Sequence, residues 1–260
     1  MIFQSEKFIK DSMQKDKKIK IDAQMQKEFE DIEASKFEKY QTLIIGRRGL
    51  VQFLKYEIIT SLFGDCRGAL GLTLRKVLYP AILGFSGKNL LIGSGITLRH
   101  PHKVRLGNNV VIDNGCLIDA KGSQNEGITI RDNVFIGRNS ILSCKNGDIE
   151  LDEYANIGVF CNISSNSKLK IGKKVLIGPH CSFFATEHIS ERADIPIADQ
   201  GWTSKGIRIE DNVWIGAGVI VLDGVTIGRD SIVGAGAVVS EDIPEFSVAV
   251  GIPAKVVKKR

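Results

Sequence analysis

The stretch IEDNVWIGAGVIVLDGVTIGRDSIVGAGAVV, residues 209–239, has an aliphatic residue at every sixth position. These positions are Ile209, Ile215, Val221, Ile227, Val233 and Val239. A helix with 3.6 residues per turn would rotate them off any single face, so the period excludes an amphipathic helix. A six-residue unit suits a short strand and a turn, and three such units close one triangular coil. The stretch therefore predicts two stacked coils with the aliphatic column inside.

The same period recurs upstream. Four more trios of aliphatic or aromatic residues stand six apart, and they are Leu106, Ile112, Ile118; Ile130, Ile136, Leu142; Leu151, Ile157, Ile163; and Ile171, Ile177, Phe183. An imperfect leading trio is Ile92, Leu98, Val104. Glycine often follows the aliphatic residue, where a chain that turns a corner needs a permissive backbone. Stacking all these coils would bury one continuous core.

This repeat, with the ending GIPAKVVKK at residues 251–259, resembles the hexapeptide-repeat acyltransferases. The resemblance covers residues 91–255 and implies a mostly β fold, a left-handed parallel β-helix. The left hand comes from the resemblance alone, because general crossover rules favour the right hand. Within the family, GVTIGRDSIVGAGAVVSEDIP at residues 224–244 is most similar to sugar O-acetyltransferases of surface-polysaccharide synthesis.

The first 90 residues lack the six-residue pattern. Residues 1–45 are rich in helix formers and predict one or two exposed, charged helices. Residues 46–90 mix Leu, Ile and Phe with Arg and Lys, which predicts two short amphipathic helices that cap the first coil. We therefore expect a helical N-terminal region at 1–90, a β-helix domain at 91–255 and a basic C-terminal tail at 256–260.

The net charge of +5 is concentrated in residues 46–90, which hold seven Lys and Arg against Glu57 and Asp65 (7 − 2 = +5). Two interpretations stay open: a peripheral contact with an anionic membrane surface, or a packed cap that is basic. We expect no nucleic-acid partner. The opening residues are too charged for a secretory signal and the uncharged run 77–87 is too short to span a bilayer, so we expect a cytoplasmic protein, with the inner face of the membrane as a further option.

One long break interrupts the repeat, at CSFFATEHISERADIPIADQGWTSKG, residues 181–206. Phe183 and Ile209 stand 26 positions apart (209 − 183), twenty more than an unbroken repeat would give. The sequence therefore predicts a protruding loop at 184–206. Long loops on rigid scaffolds tend to carry function.

His188 lies near the start of this loop. In the sugar acetyltransferases that the chain resembles, a histidine at the base of such a loop is the general base, and His188 matches it. An imidazole can accept the proton of an acceptor hydroxyl that attacks a thioester, and no acyl-enzyme is required. Glu187, Glu191, Asp194 or a backbone carbonyl could orient the ring, and the sequence does not choose among them.

The resemblance also implies binding residues. On the acceptor side they are Asn162, one coil before His188, with Glu187 and Trp202 of the loop. For acetyl-CoA they are Trp214, Ala217, Ala235, Gly236, Lys255 and Lys258. One position departs from the family pattern, because Ser240-Glu241 stands where Thr-Lys is frequent, and this puts one phosphate contact in doubt.

No metal site is expected. His100 and His102 lie at one end of the repeat while His180 and His188 lie two thirds along it, and the cysteines show no CxxC spacing. His180 falls on an outward position, as a surface or acceptor-lining residue, and His100 and His102 fit a structural role. Three of the five cysteines occupy the small-residue slot of the repeat, which favours packing over reactivity: Cys116, Cys161 and Cys181.

Three functions remain open at this stage. The first is acetyl-CoA-dependent O-acetylation of a sugar or lipid-linked saccharide by a homotrimer with His188 as base. The second is N-acetylation of an amino sugar, which uses the same donor. The third is a catalytically silent solenoid that serves assembly.

Overall fold

A computed structural model describes residues 35–260 of the chain. The predicted helices of residues 1–45 therefore lie for the most part outside the described residues. The described chain divides into a main unit, Ser35–Thr186 with Ser204–Arg260, and a smaller unit that contains the loop Glu187–Thr203. Each is described by itself below.

The main unit begins with helices. They are α1 (Lys36–Tyr40), a π-helical turn (Gln41–Ile45), α2 (Leu50–Phe63), α3 (Gly68–Leu78) and a 3-10 turn (Tyr79–Ala81). Ser35 starts α1 with a capping box, in which its hydroxyl accepts from the Glu38 amide and the Glu38 carboxylate accepts from the Ser35 amide. Within residues 35–260, no helix is both long and apolar enough to cross a membrane.

The rest of the main unit is a solenoid of short strands, three to a coil. The first four coils contain β1 (Phe85–Ser86), β2 (Leu91–Ile92), β3 (Thr97–Arg99), β4 (Val104–Leu106), β5 (Val111–Ile112), β6 (Leu117–Asp119), β7 (Ile128–Ile130), β8 (Phe135–Ile136), β9 (Ile141–Cys144), β10 (Asp148–Leu151), β11 (Asn156–Ile157) and β12 (Asn162–Ser165). A 3-10 turn, Pro101–Lys103, precedes β4.

The later coils contain β13 (Lys168–Ile171), β14 (Leu176–Ile177), β15 (Ser182–Ala185), β18 (Ile207–Ile209), β19 (Trp214–Ile215), β20 (Ile220–Val221), β21 (Thr226–Ile227), β22 (Ile232–Val233), β23 (Val238–Val239), β24 (Ser247–Val250) and β25 (Lys255–Lys259). The loop between β15 and β18 carries β16 (Glu187–His188), a 3-10 turn (Ile197–Asp199) and β17 (Trp202–Thr203).

Equivalent strands of successive coils pair in parallel and form three sheets. Sheet 1 runs from β1 to β21 and sheet 3 from β3 to β23, with seven strands each, and sheet 2 runs from β2 to β25 with nine. The predicted aliphatic columns are in register, as in Ile157↔Ile177 and Ile209↔Ile227. Their side chains are buried and form one continuous core. The mostly β solenoid predicted from the six-residue period is confirmed.

The turns between strands account for the frequent glycine and asparagine residues that follow the strands. Asn, Gly and a few others turn there with positive φ, a conformation that glycine and asparagine tolerate best. Close stacking of coils also excludes side chains, because a Cβ on Gly216 would lie 2.6 Å from the Ala235 amide nitrogen of the next coil. Where glycine follows the aliphatic residue, as at Gly216, it permits the close spacing between coils.

The first coil starts earlier than the sequence predicted. Strand β1 pairs with β4 through Phe85↔Arg105 and Ser86↔Leu106, so the solenoid begins at residue 85 and not at 91. The leading trio is also regrouped, because Val104 belongs to β4 of the second coil. Phe85 and Ser86 lack the aliphatic signature, and only their pairing with β4 identifies them as a strand.

The two longer helices contact this first coil. The Tyr56 hydroxyl of α2 donates to the Leu98 carbonyl at 2.7 Å. The buried Arg75 guanidinium of α3 donates to the carbonyls of Ile92 at 2.8 Å, Phe63 at 3.0 Å and Cys66 at 2.5 Å. Arg75 therefore joins α3 to the end of α2 and to the first coil, since it satisfies carbonyls of both.

Helix α2 differs from the predicted amphipathic pattern. Its outward face is apolar and carries Leu50, Val51, Leu54, Ile58 and Leu62, with Val51 74% and Leu62 66% exposed. Its inward face carries Tyr56 and Ile59, which are buried. The helix is therefore apolar on both sides, which is unusual for a surface helix.

The chain end is a strand where the sequence predicted a tail. Residues 255–259 form β25, which pairs antiparallel with β24 through Val248↔Lys258 and Val250↔Lys255. The basic residues of this segment thus lie along the edge of sheet 2.

Candidate functional site

The loop that interrupts the repeat is a hairpin. Strand β16 pairs antiparallel with β17, with Glu187 opposite Thr203 and His188 opposite Trp202. Directly opposite residues of a two-stranded ribbon present their side chains on the same face, about 5 Å apart at Cβ. The loop therefore brings together His188 and Trp202, which the sequence had named separately. Glu187, with its carboxylate, and His188, with its imidazole, are both exposed.

Gln200 holds the far part of the loop in place. Its side-chain oxygen accepts from the Arg192 amide at 3.0 Å, and its amide donates to the carbonyls of Arg192 at 2.6 Å and Ile195 at 2.9 Å. Arg192 also pairs with Asp194 at 2.6 Å, and this holds the pKa of the Asp194 carboxyl below its usual value, mainly through that hydrogen bond. Of the three acids considered as orienting groups, Asp194 is thus engaged by Arg192.

The solenoid holds the two ends of the loop close together. The Ser204 hydroxyl donates to the Ala185 carbonyl at the end of β15, and the Thr186 hydroxyl donates to the same carbonyl at 2.7 Å. Ser204 is followed by Lys205, whose amide donates to the Asp223 carboxylate at 2.8 Å. The chain therefore leaves and re-enters the coil at one place.

Asn162 lies one coil before β15, on the outer face of sheet 3. It pairs with Ser182, and its side-chain oxygen accepts from the Ser164 hydroxyl at 2.8 Å. That bond leaves the Asn162 amide hydrogens as the outward donors. Ser164 was missed at the sequence level, although its position two residues after Asn162 in a strand puts both on one face.

A bare corner runs along the later coils between sheets 2 and 3. The Gly218 amide donates to the Pro179 carbonyl and the Gly236 amide to the Ala217 carbonyl, at 2.9 and 2.8 Å, so these corners stack directly. Gly218 and Gly236 have φ of 69° and 70°, and a Cβ at either would meet no atom within 4 Å. Ala217 and Ala235 are their neighbours in sequence. The predicted coenzyme residues Ala217, Ala235 and Gly236 are thus contiguous on an open strip of backbone.

An aromatic pair occupies the same corner in the two coils before. The rings of Phe160 and His180 are parallel within 1° with centroids 5.2 Å apart, and both residues are exposed. The His180 amide donates to the Val159 carbonyl, which makes His180 equivalent to Gly218 of the next coil. The bare strip therefore ends on the ring of His180, which the sequence had placed only as an outward residue.

Trp214 and Lys258 share a row on the outer face of sheet 2. The register runs Trp214↔Ile232, Ile232↔Val248 and Val248↔Lys258, and Trp214 is 55% exposed. Lys255 lies on the same edge strand, but its ammonium pairs with the Glu241 carboxylate at 3.0 Å. Glu241 is the residue that departs from the family pattern. Its carboxylate forms an ion pair with Lys255, which the sequence analysis assigned to the coenzyme.

His100, Cys116 and Cys144 have structural surroundings. The His100 ring hydrogen-bonds the Thr42 carbonyl at 3.0 Å. Burial raises the pKa of the Cys116 thiol to about 11 and that of Cys144 to about 12, so neither is a nucleophile at neutral pH. Within residues 35–260, no group of three or more His, Cys, Asp or Glu is placed to hold a metal ion.

Comparisons with known proteins identify the repeat. Residues 206–241 match the family described as bacterial transferase hexapeptide (six repeats). A probable acetyltransferase of Mycobacterium tuberculosis is 33% identical over 127 residues, which are 49% of this chain. The match spans 42% of that protein, less than half of its length.

A solved structure shares the fold, and a second one is similar over most of its length. A point mutant of AntD, an N-acyltransferase from Bacillus cereus in complex with dTDP and coenzyme A, superposes with a TM-score of 0.50 at 23% identity, over 75% of this chain and 91% of that one. A maltose O-acetyltransferase from Clostridium difficile 630 gives a TM-score of 0.45 at 24% identity, over 87% of this chain and 97% of that one.

Proposed function

We propose that the chain is a hexapeptide-repeat acyltransferase and, more specifically, an acetyl-CoA-dependent O-acetyltransferase acting on a hydroxyl of a sugar or polysaccharide precursor. The observation that carries the proposal is the hairpin loop Glu187–Thr203, which interrupts the repeat once and holds His188 opposite Trp202. The matched transferase repeat and the similarity to a probable acetyltransferase support the reaction type.

His188 is the general base in this mechanism. The acceptor oxygen attacks the thioester carbonyl carbon while its proton passes to the imidazole of His188. The tetrahedral intermediate then collapses, the C–S bond breaks, and the proton on His188 returns to the departing thiolate of coenzyme A. The mechanism requires no covalent acyl-enzyme, and the raised thiol pKa values of the buried Cys116 and Cys144 make these two residues unsuitable nucleophiles.

The donor binds along the later coils. The bare backbone at Ala217, Ala235 and Gly236 accommodates the pantetheine arm, because no side chain occupies the space beside Gly236. Trp214 borders this strip on sheet 2. Lys258 and Lys255 at the edge strand meet the coenzyme phosphates as charge-assisted donors.

The acceptor is a sugar, held by Asn162, Glu187 and Trp202. The outward amide hydrogens of Asn162 suit a hydroxyl oxygen, and an indole face suits the apolar side of a pyranose ring. A hydroxyl needs a base as it attacks, whereas a neutral amine attacks without one and loses its proton afterwards. The hairpin that presents His188 therefore favours a hydroxyl acceptor over an amino sugar.

The active assembly is a homotrimer with sites shared between neighbouring copies. The outer faces of sheets 1 and 2 support this, since they differ in polarity. Sheet 2 presents an almost continuous apolar row, and its members are Leu91, Val111, Phe135, Leu176, Trp214 and Ile232. The corresponding row of sheet 1 is charged, with Arg105, Glu150, Lys170 and Arg208. An apolar face of this length is typical of an interface.

The protein works in the cytoplasm, with a peripheral membrane contact through residues 46–90. The apolar outward face of α2 and the surplus of basic residues in this segment support the contact. A lipid-linked saccharide acceptor would place the enzyme at that surface.

The base assignment is tested by thiol release from acetyl-CoA with a panel of sugars and one amino sugar. We expect His188→Ala and His188→Gln to lower kcat on the preferred acceptor about 100- to 10,000-fold, the usual contribution of a general base. Asp199→Asn, an exposed loop residue outside the proposed site, serves as the control and should retain wild-type kcat.

The possible results separate the candidate functions. Equal kcat for wild type and His188→Ala on a sugar that is clearly turned over would remove His188 as the base. Turnover of the amino sugar alone would replace O-acetylation by N-acetylation. If no acceptor releases thiol and acetyl-CoA shows no binding by calorimetry, the solenoid is a scaffold.

A further inference from the structure

A polar cleft lies between the N-terminal helices and the first coils, away from the residues of the proposed transfer site. It has a volume of about 370 Å³, and its lining includes Arg47, Lys55, Tyr56, His102 and Arg105. We infer that this cleft binds a phosphate group, as the phosphate of a membrane lipid or of a soluble phosphate ester. The inference concerns binding only and stands whether or not acetyl transfer is the reaction.

Three cations converge on the cleft without a counter-charge. Arg47, Lys55 and Arg105 all contribute to its lining, and none of the lining residues is Asp or Glu. Among the described residues no carboxylate forms an ion pair with any of the three, and Arg105 stacks on the Phe85 ring at 5.7 Å. Three like charges around one space repel one another, so an anion in that space lowers the electrostatic free energy of the folded chain.

His102 adds an unsatisfied polar atom to the same cleft. Its Nδ1 is buried and has no hydrogen-bond partner among residues 35–260. Burial lowers the pKa of His102 to about 4, and the neighbouring Arg47 acts in the same direction; an anion in the cleft would oppose these effects and favour an N–H at Nδ1. A buried polar atom without a partner is uncommon in native structures and is explained when a ligand completes its bonding.

The charge and geometry select phosphate over a single carboxylate. Two guanidinium groups offer fork-shaped donors that match phosphate oxygens, and Lys55 supplies a point charge. Three cations exceed what one carboxylate neutralises, whereas a phosphate monoester or diphosphate carries about two or more charges. The volume is at the lower end for ligand pockets, which suits a headgroup and not a whole cofactor.

The surface beside the cleft is compatible with two kinds of phosphate ligand, a lipid headgroup and a soluble phosphate ester. Lys55 and Tyr56 belong to α2, and its outward face carries Val51, Leu54 and Ile58. A lipid would place its headgroup in the cleft and its chains against this apolar face, whereas a soluble phosphate ester would use the cleft alone.

The first experiment titrates the full chain with pyrophosphate at low ionic strength. Calorimetry measures binding, and ¹³C labelling of the four histidines reports the site, because His102 is one of only four such signals. We expect saturable binding with a shift of the His102 signal. Absence of heat and of any His102 shift at low salt would overturn the inference.

A pair of charge-matched variants tests the residues. We expect Arg47→Gln and Lys55→Gln each to weaken pyrophosphate binding about tenfold or more, since each removes a charged hydrogen-bond donor. Lys76→Gln is the control, because it removes the same charge from the same basic segment outside the cleft. If Lys76→Gln weakens pyrophosphate binding equally, the anion is attracted by the overall positive charge, and a specific phosphate site is refuted. Thermal melting of each variant excludes loss of fold.

The two sources are separated with vesicles. Wild-type protein is sedimented with vesicles of phosphatidylcholine alone and with vesicles that also contain phosphatidylglycerol. Binding to the anionic vesicles that pyrophosphate displaces, and that Arg47→Gln weakens, identifies a lipid headgroup. Pyrophosphate binding without vesicle binding identifies a soluble phosphate ester.

Discussion

Glu241 and Lys255 pair at 3.0 Å on the last coils, and both side chains are largely exposed. In the proposed donor site this carboxylate competes with the coenzyme phosphates for the lysine and repels them. We therefore expect Glu241→Gln to lower the KM for acetyl-CoA up to about fivefold, since exposed pairs contribute at most about 1 kcal/mol. Initial-rate kinetics at low ionic strength measure the change, and added salt should abolish it by screening.

A second surface pair provides the matched control for this residue. Glu245 pairs with Arg229 at 2.8 Å and is not assigned to the donor site, so Glu245→Gln should leave the KM unchanged. A rise in KM with Glu241→Gln, or equal falls with both variants, would contradict a phosphate role for Lys255.

In the proposed function the loop Glu187–Thr203 contributes to catalysis more than to stability. In this segment no large apolar side chain is buried, and Gln200 is the buried side chain that organises it. Within the main unit, the Ser204 hydroxyl donates to the Ala185 carbonyl, and this bond joins the two chain segments that flank the loop. We expect replacement of residues 187–203 by a short Gly-Ser linker to shift Tm by about 4 °C or less and to remove acetyl transfer.

Circular dichroism and thiol release on the same preparation test this prediction. The Asp199→Asn protein is the control, with loop and hairpin intact. A melting temperature lowered by much more would make the loop part of the solenoid's fold. Transfer that survives the replacement would place the catalytic base elsewhere.

The sequence predicted the strands that belong to the six-residue repeat. It did not predict the strands that are defined only by pairing with another strand. The six-residue period predicted that Ile157, Ile177 and Ile215 lie in buried columns, because each unit repeats the same strand and turn. Strand β1, at Phe85–Ser86, lacks the period. The segment of β25 was predicted as a tail, because its five residues are all exposed and show no alternation of buried and exposed positions. The sequence located His188 but could not show that Trp202, fourteen positions later (202 − 188), lies opposite it.

At the scale of the whole molecule, the solenoid assigns a different chemistry to each face. A strand alternates inward and outward residues, so each sheet repeats one outward position per coil and its character accumulates along the stack. Sheet 1 accumulates charge, through residues such as Glu150 and Lys170, and sheet 2 accumulates apolar area, through residues such as Phe135 and Leu176. The proposed trimer would bury the apolar face of sheet 2.

A charge on the apolar row therefore tests the proposed trimer. We expect the wild-type protein to have three times the chain mass by size-exclusion chromatography with light scattering. Phe135→Asp should reduce it to the mass of one chain and remove activity, because the interface would bury an unpaired carboxylate. Thr129→Asp is the matched control, since it puts the same carboxylate on sheet 1 of the same coil and should leave the trimer intact. A monomeric wild type, or equal dissociation in both variants, would contradict assembly through sheet 2.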